Sequence, residues 1–323
     1  MKKLLLLLSC ALAACSASTD PTGAASAEDR SGPALTVPQD QLDAGLSCTP
    51  DIASATRDPV LITPAFTNAQ DSFGWNYLLQ LPLLGIPTCS ISVPDRGFGD
   101  LQNAAEYVVY AVRKISALSG RKLVLFGHQH GPLDEMWALK FWPDIPSKVS
   151  TYISLATPHN GTASAQFACN AGRHCPPSVW QIATGSKFLA ALNARPLPKG
   201  IVYTSIATSF DEVIVPQPAA SHLEGATNIE LQDICPGRPI EHFTILADNL
   251  TYLLVLDALD HPGQPVNVAH LPSDVCLTTY MPSVMDPTSA ITALRGFADF
   301  GSDFAVSTVQ GTSAEPELRD YAK

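Results

Sequence analysis

The chain has 323 residues, 46% of them hydrophobic, and a formal net charge of -11 from 30 acidic and 19 basic side chains. An acid excess of that size argues against nucleic acid as a partner, because a phosphate backbone draws basic surfaces and repels acidic ones. From Leu42 to about Asp299 there is no internal repeat and no long low-complexity break, so the sequence reads as one well-buried domain, taken as residues 42–307.

The N-terminus runs Met1-Lys2-Lys3, five leucines, then Leu12-Ala13-Ala14-Cys15. A short basic stretch, an apolar run too short for a bilayer and small residues before a cysteine resemble a bacterial lipoprotein signal, residues 1–14, cleaved before Cys15. Acylation of Cys15 then implies a membrane partner, with anchorage in the cell envelope by several chains; Ser16 after the cysteine favours the outer membrane. Residues 15–41 follow as a lipidated flexible tether, since Ala17 to Pro38 is mostly Ser, Ala, Thr, Gly and Asp. Thr308 to Lys323 reads as a loose polar tail. Of eight cysteines, Cys10 leaves with the signal and Cys15 carries lipid. Cys48, Cys89, Cys169, Cys175, Cys235 and Cys276 remain for three disulfides in an oxidising compartment. Cys169 and Cys175 are near enough to close a small loop, whereas spacing leaves open how the other four pair. The absence of C-x-x-C spacing argues against a zinc site of cysteines.

Within the domain, short apolar β-branched runs alternate with helical stretches. Pro59–Thr63, Cys89–Val93, Lys122–Phe126, Val149–Leu155 and Ile201–Ala207 are predicted as buried strands, which implies a mostly parallel sheet covered on both faces. Helices are predicted at Asp100–Leu118, Leu133–Trp142, Ser178–Asn193, Phe243–Asp260 and Pro287–Phe297. The first has apolar residues at helical spacing and ends at Ser119-Gly120. The fourth is apolar nearly all round and is read as internally buried, with an acyl-cleft wall as the other reading.

Gly127-His128-Gln129-His130-Gly131 lies where the Lys122–Phe126 strand runs into a helix, the place of the G-x-S-x-G nucleophile elbow. Gln129 stands where the serine would be, and a carboxamide is neither acidic enough to ionise nor nucleophilic enough to attack a carbonyl. Asp211 follows the strand that ends at Ala207, and His242 lies further on; nucleophile, acid, histidine is the chain order of an α/β-hydrolase triad. His128, His130 and Asp134 suggest a metal-ligand spacing, but residues on either side of a tight elbow diverge, so no metal and no cofactor is expected. His159, in Thr157-Pro-His-Asn-Gly161, precedes the acid and is read as a loop hydrogen-bonder. Asp95-Arg96-Gly97 reads either as the cleft rim or as an ion-paired turn.

Further local patterns carry a resemblance: Leu61-Ile-Thr-Pro64, Gly85-Ile-Pro-Thr-Cys89, Trp137-Ala-Leu-Lys-Phe-Trp-Pro143, Pro177-Ser-Val-Trp-Gln181 and Asp211-Glu212 with Pro216-Gln217. The chain resembles the lipase B family of α/β-hydrolases from Leu42 to about Cys276. That resemblance implies an α/β-hydrolase fold, Asp211 and His242 as triad acid and base, Gln129 at the nucleophile position, and disulfides Cys48–Cys89 and Cys235–Cys276. The family usually reads close to G-H-S-Q-G-G at the elbow, and the spacing to Trp137 makes Gln129 a replacement rather than a deletion. A second departure is Pro64-Ala65-Phe66, where the family usually has Gly-Thr after the proline; the oxyanion then keeps only the backbone N–H groups of Phe66 and His130. The Cys169–Cys175 loop lies where relatives place lid-like structure. An acyl ester or lipid is the implied ligand. Two readings result: an ester hydrolase impaired or altered at Gln129 and Phe66, or a pseudoenzyme that keeps the scaffold to bind a lipid or a protein partner.

Overall fold

Fully buried runs in the middle of the chain supply the centre of the sheet. The computed structural model describes residues 31–171 and 174–323; residues 1–14, Cys15 and most of the expected tether lie outside them. Seven strands, β1 Leu46–Cys48, β2 Val60–Thr63, β3 Thr88–Ile91, β4 Leu123–His128, β5 Val149–Leu155, β6 Val202–Ala207 and β7 Thr227–Glu230, are arranged in the order β1-β3-β2-β4-β5-β6-β7. All neighbours are parallel except β1 on β3. β2 to β5 are buried at every position, which requires helices on both faces.

Four helices matter for the site: α1 Leu101–Ser119, α2 Gly131–Phe141, α3 Asn249–Asp260 and α4 Pro287–Val309. Asp100 caps α1 by accepting the Gln102 N–H, and Gly120 ends it at φ 65, a conformation that suits glycine. Val108, Val112 and Ile115 of α1 join Trp137 of α2 against Leu61 and Leu125 on one sheet face. Leu250, Leu254 and Ala258 of α3 cover Val60, Ile62, Val124 and Ile153 on the other. Alternate residues of one strand therefore feed the two cores. Disulfides join Cys48–Cys89, Cys169–Cys175 and Cys235–Cys276; the first links β1 and β3 at directly paired positions.

Several predicted elements differ. β1 and β7 are short edge strands with mixed burial, too weakly patterned to stand out. The Ser178–Asn193 helix is two, Pro177–Gln181 and Lys187–Asn193, separated at Gly185, whose φ is 81. Phe243–Asp260 is a single turn at Thr244–Leu246 followed by α3, because Asp248 caps the Thr251 N–H and starts a new helix. α4 runs on to Val309, past the predicted end at Phe297. A Cβ on its Gly296, inside the predicted stretch, would sit 2.8 Å from the Asp71 carbonyl, so glycine lets α4 approach the Ala69–Phe73 helix.

The described part of the expected tether, residues 31–41, and the expected loose tail are both docked. Packed structure begins before Leu42: Glu106 accepts hydrogen bonds from the Val37 N–H and Thr36 Oγ1, each at 2.8 Å, and Trp142 Nε1 donates to the Pro33 carbonyl at 2.8 Å. Leu35 and Val37 pack on the core. The tail is no looser. Thr312 pairs with Cys175, Glu315 accepts the Lys187 and Phe188 N–H groups at 2.8 Å each, and Tyr321 packs against Phe141 and Trp142. Polar composition misled here because these polar groups satisfy the open N–H groups of another helix rather than water. Among the described residues no helix is long and apolar enough to cross a membrane.

Candidate active site

The turn from β4 into α2 holds Gln129 at φ 57, a left-handed conformation costing a non-glycine residue about 1–3 kcal/mol. Close packing forces the turn. A Cβ on Gly127 or Gly131 would lie 2.7 or 2.3 Å from the Thr63 carbonyl, so only glycine allows the elbow to press on the end of β2. The Gln129 N–H donates to the Leu155 carbonyl at 2.9 Å, which fixes the turn on β5. Its side chain bends back, and Oε1 accepts the His130 N–H at 3.0 Å. That N–H is the donor an oxyanion would use after the elbow.

Asp211 lies just beyond β6. Its Oδ1 accepts the Val213 and Ile214 N–H groups at 2.9 and 2.7 Å, which aims Oδ2 at His242 Nδ1, 3.0 Å away. A carboxylate only accepts, so Nδ1 carries the proton and Nε2 is left as the basic nitrogen. Both side chains are shielded, 0% and 1% exposed, which strengthens their interaction. His128 Nε2–H donates to the His242 carbonyl at 2.9 Å and holds the histidine loop over the elbow. Burial, then the nearby His242, push the His128 pKa well below its ordinary value, so it makes this contact as a neutral ring.

On the other side of the elbow, Phe66 stacks on Phe98 at 4.5 Å and meets the His130 ring edge-on at 4.6 Å. Burial lowers the His130 pKa to about 3, so this imidazole brings no positive charge to the cleft. The Pro64–Phe66 loop is braced by Gly97, where a Cβ would fall 1.9 Å from the Ala65 carbonyl. Arg96 ties the neighbouring Ala69–Phe73 helix to α4 by ion pairs with Asp71 at 2.7 Å and with Asp303. Asp95-Arg96-Gly97 is thus a brace between elements rather than an isolated surface pair.

Gln129, His128, His242, Phe66 and Phe243 line one cleft of about 200 Å³ whose wall is mostly apolar, with Thr67, Asp71 and Ser72 as its further polar residues. Sequence reading missed the side of that wall supplied by α4, Ala293, Gly296, Phe297 and Phe300; their spacing by three and four residues was the available signal. Leu246 lines the cleft while α3 beyond it is buried in the core. None of the described residues of the Cys169–Cys175 loop lines the cleft. His159 bonds Ser154 Oγ at 3.0 Å within the core, away from the cleft. The His128–His242 and Gln129–His130 contacts were beyond sequence, because neither side chain follows from a strand or helix pattern. His128, His130 and Asp134 do not converge as metal ligands: among the described residues the cluster that could is Asp257, His261 and His270.

Known proteins share this fold. The class 2 lipase family matches residues 116–242, the stretch from the end of α1 to His242. Lipase B of Pseudozyma antarctica is 34% identical over 305 residues, spanning 91% of this chain and 87% of that protein. The crystal structure of Aspergillus fumigatus lipase B superimposes with a TM-score of 0.78 at 24% identity, over 91% of this chain and 74% of that one. A Bacillus licheniformis lipase in its mature form shares the fold at a TM-score of 0.53 and 18% identity, over 71% of this chain and 96% of that one. By the extent and identity of the match to Pseudozyma antarctica lipase B, the chain belongs to the lipase B family of α/β-hydrolases.

Proposed function

We propose that this protein holds acyl esters or lipids in the apolar cleft and has lost the acyl-enzyme route by which a serine lipase would hydrolyse them. One observation carries the reading: Gln129 occupies the strained elbow and its own Oε1 takes the His130 N–H. The nucleophile is missing and one oxyanion donor is engaged by the group that replaces it. A second reading, direct hydrolysis by a water that His242 activates, draws support from the intact Asp211–His242 pair at 3.0 Å.

Ester turnover separates the two. The expected result is that a fluorescent fatty-acid probe binds and is displaced by acyl esters, a fluorophosphonate leaves no label, and p-nitrophenyl butyrate is hydrolysed no faster by wild type than by His242→Ala. Wild-type turnover that disappears in His242→Ala would move the conclusion to the water mechanism. A fluorophosphonate adduct on Gln129 would sink both.

The anchor belongs to the same proposal. Cys15 after Leu12-Ala13-Ala14 supports lipidation, and a lipid-anchored scaffold would meet its ligands at the envelope. Cys15→Ala is expected to lose radiolabelled palmitate and to leave the detergent phase on phase separation; retention of label would remove the anchor from the proposal.

A further inference from the structure

The C-terminal end of α3 gathers a cluster that the cleft does not use. Asp257 lies in the last turn of α3, His261 directly follows the helix, and the chain returns through a short 3-10 turn at Val268–His270 to set His270 beside them. Asp257 Oδ1 is 3.3 Å from His261 Nδ1 and 2.5 Å from His270 Nδ1. One ligand atom from each of the three residues falls within 4.8 Å of the others. The second carboxylate oxygen, Oδ2, accepts the Asn267 N–H at 2.8 Å, which orients Oδ1 toward the imidazoles. Arg57, which reaches the same helix end, pairs with Asp260 and not with Asp257. A carboxylate and the negative end of a helix dipole thus face two imidazoles, an arrangement that attracts a cation.

We infer that Asp257, His261 and His270 form a site for a divalent transition-metal ion of the zinc class, bound through Oδ1 and the two Nδ1 atoms. Imidazole with carboxylate suits zinc, nickel or copper rather than magnesium or calcium. With metal–ligand distances of about 2.0–2.2 Å, ligands of a tetrahedral ion lie roughly 3.4 Å apart. Asp257 and His261 already have that spacing, and His270, with its side chain 49% exposed, needs to move outward by about 1 Å. Binding displaces the Nδ1 protons, which in the free protein His261 donates to the Asp257 carbonyl at 2.9 Å and His270 to Asp257 Oδ1. His270 Nε2 then keeps its proton, and the Asn267 amide, whose Nδ2 is 2.9 Å away, turns its oxygen to accept it. Water completes the fourth position at the surface. The ion fastens α3 to the segment leading to Cys276, and its role is structural.

The test uses the full chain without an affinity tag, stripped with EDTA and titrated with zinc chloride against a chromophoric chelator; cobalt chloride absorption reports the coordination. Expected are one zinc per chain, a higher Tm with zinc, and affinity about 10–100-fold weaker in His270→Gln and in Asp257→Asn. Because His270 is half exposed, His270→Gln should keep the wild-type circular dichroism and remain informative if Asp257→Asn unfolds. Absence of saturable zinc binding, or equal affinity in wild type and His270→Gln, overturns the site and leaves a plain hydrogen-bonded cluster.

Discussion

Gln129→Ser is expected to raise p-nitrophenyl butyrate hydrolysis by about 10³-fold or more over wild type, because loss of a serine nucleophile elsewhere costs about 10⁶ in turnover. The substitution repairs two faults together. It places a hydroxyl at φ 57 on an elbow already shaped for it, and it removes the Oε1 that accepts the His130 N–H. His242, its Nδ1 proton held by Asp211 Oδ2 at 3.0 Å, is oriented to take the serine proton on Nε2. Recovery should stop short of a full lipase, since Phe66 supplies no hydroxyl and one lost oxyanion donor costs about 10²–10³-fold. Gln129→Ala separates the two repairs: it frees the His130 N–H without supplying a nucleophile and should stay at the wild-type rate. Adding His242→Ala to Gln129→Ser should abolish the gain and the fluorophosphonate label. If Gln129→Ser folds, binds the fatty-acid probe and stays inactive, then the fault lies in the oxyanion loop at Phe66 and not at Gln129.

How much of this was legible beforehand follows from the physics of each part. The central strands were plain because burial on both faces leaves runs such as Leu123 to Phe126 with no polar interruption. The elbow was plain because two glycines at fixed spacing answer a backbone contact with Thr63 that no Cβ could survive. Asp211 and His242, which meet at 3.0 Å, were read from chain order after strands. By contrast, α4 was read only as far as Phe297: Gly301 beyond it looks like a breaker, while Gly296, inside the predicted helix, serves a close helix approach. The docked tail hides because Glu315 and Arg319 are polar residues whose partners, Lys187, Phe188 and Asn103, lie more than a hundred positions away. Pairings of that kind are fixed by tertiary geometry and leave no local period to read.

The other large effect concerns two acids directly behind the elbow. Asp134 and Glu135, in the first turns of α2, are 1% and 0% exposed, and burial raises both pKa values well above the ordinary carboxylate range. Asp134 lies at a helix N-terminus, where the dipole favours an anion by about 0.3–1 kcal/mol, up to roughly 2. Desolvating an ion costs several kcal/mol, so burial wins and the neutral acid is the folded form. The sign of the linkage follows. Above pH 4 the unfolded chain loses these protons while the folded protein keeps them, so stability falls as pH rises, by up to about 1.4 kcal/mol per pH unit for each group. Buried His128, His130 and His159 act oppositely: their lowered pKa values cost stability as pH falls below about 6.5. Urea unfolding from pH 4 to 9 should therefore show wild type weakening on the alkaline side, where the histidines are neutral in both states. Asp134→Asn with Glu135→Gln, which copies the protonated acids in shape, should flatten that alkaline limb and raise stability at pH 8 while leaving pH 4 nearly unchanged. Equal alkaline slopes in the two proteins would mean that the carboxyls are ionised in the fold, and the account of the neutral elbow floor would have to be given up.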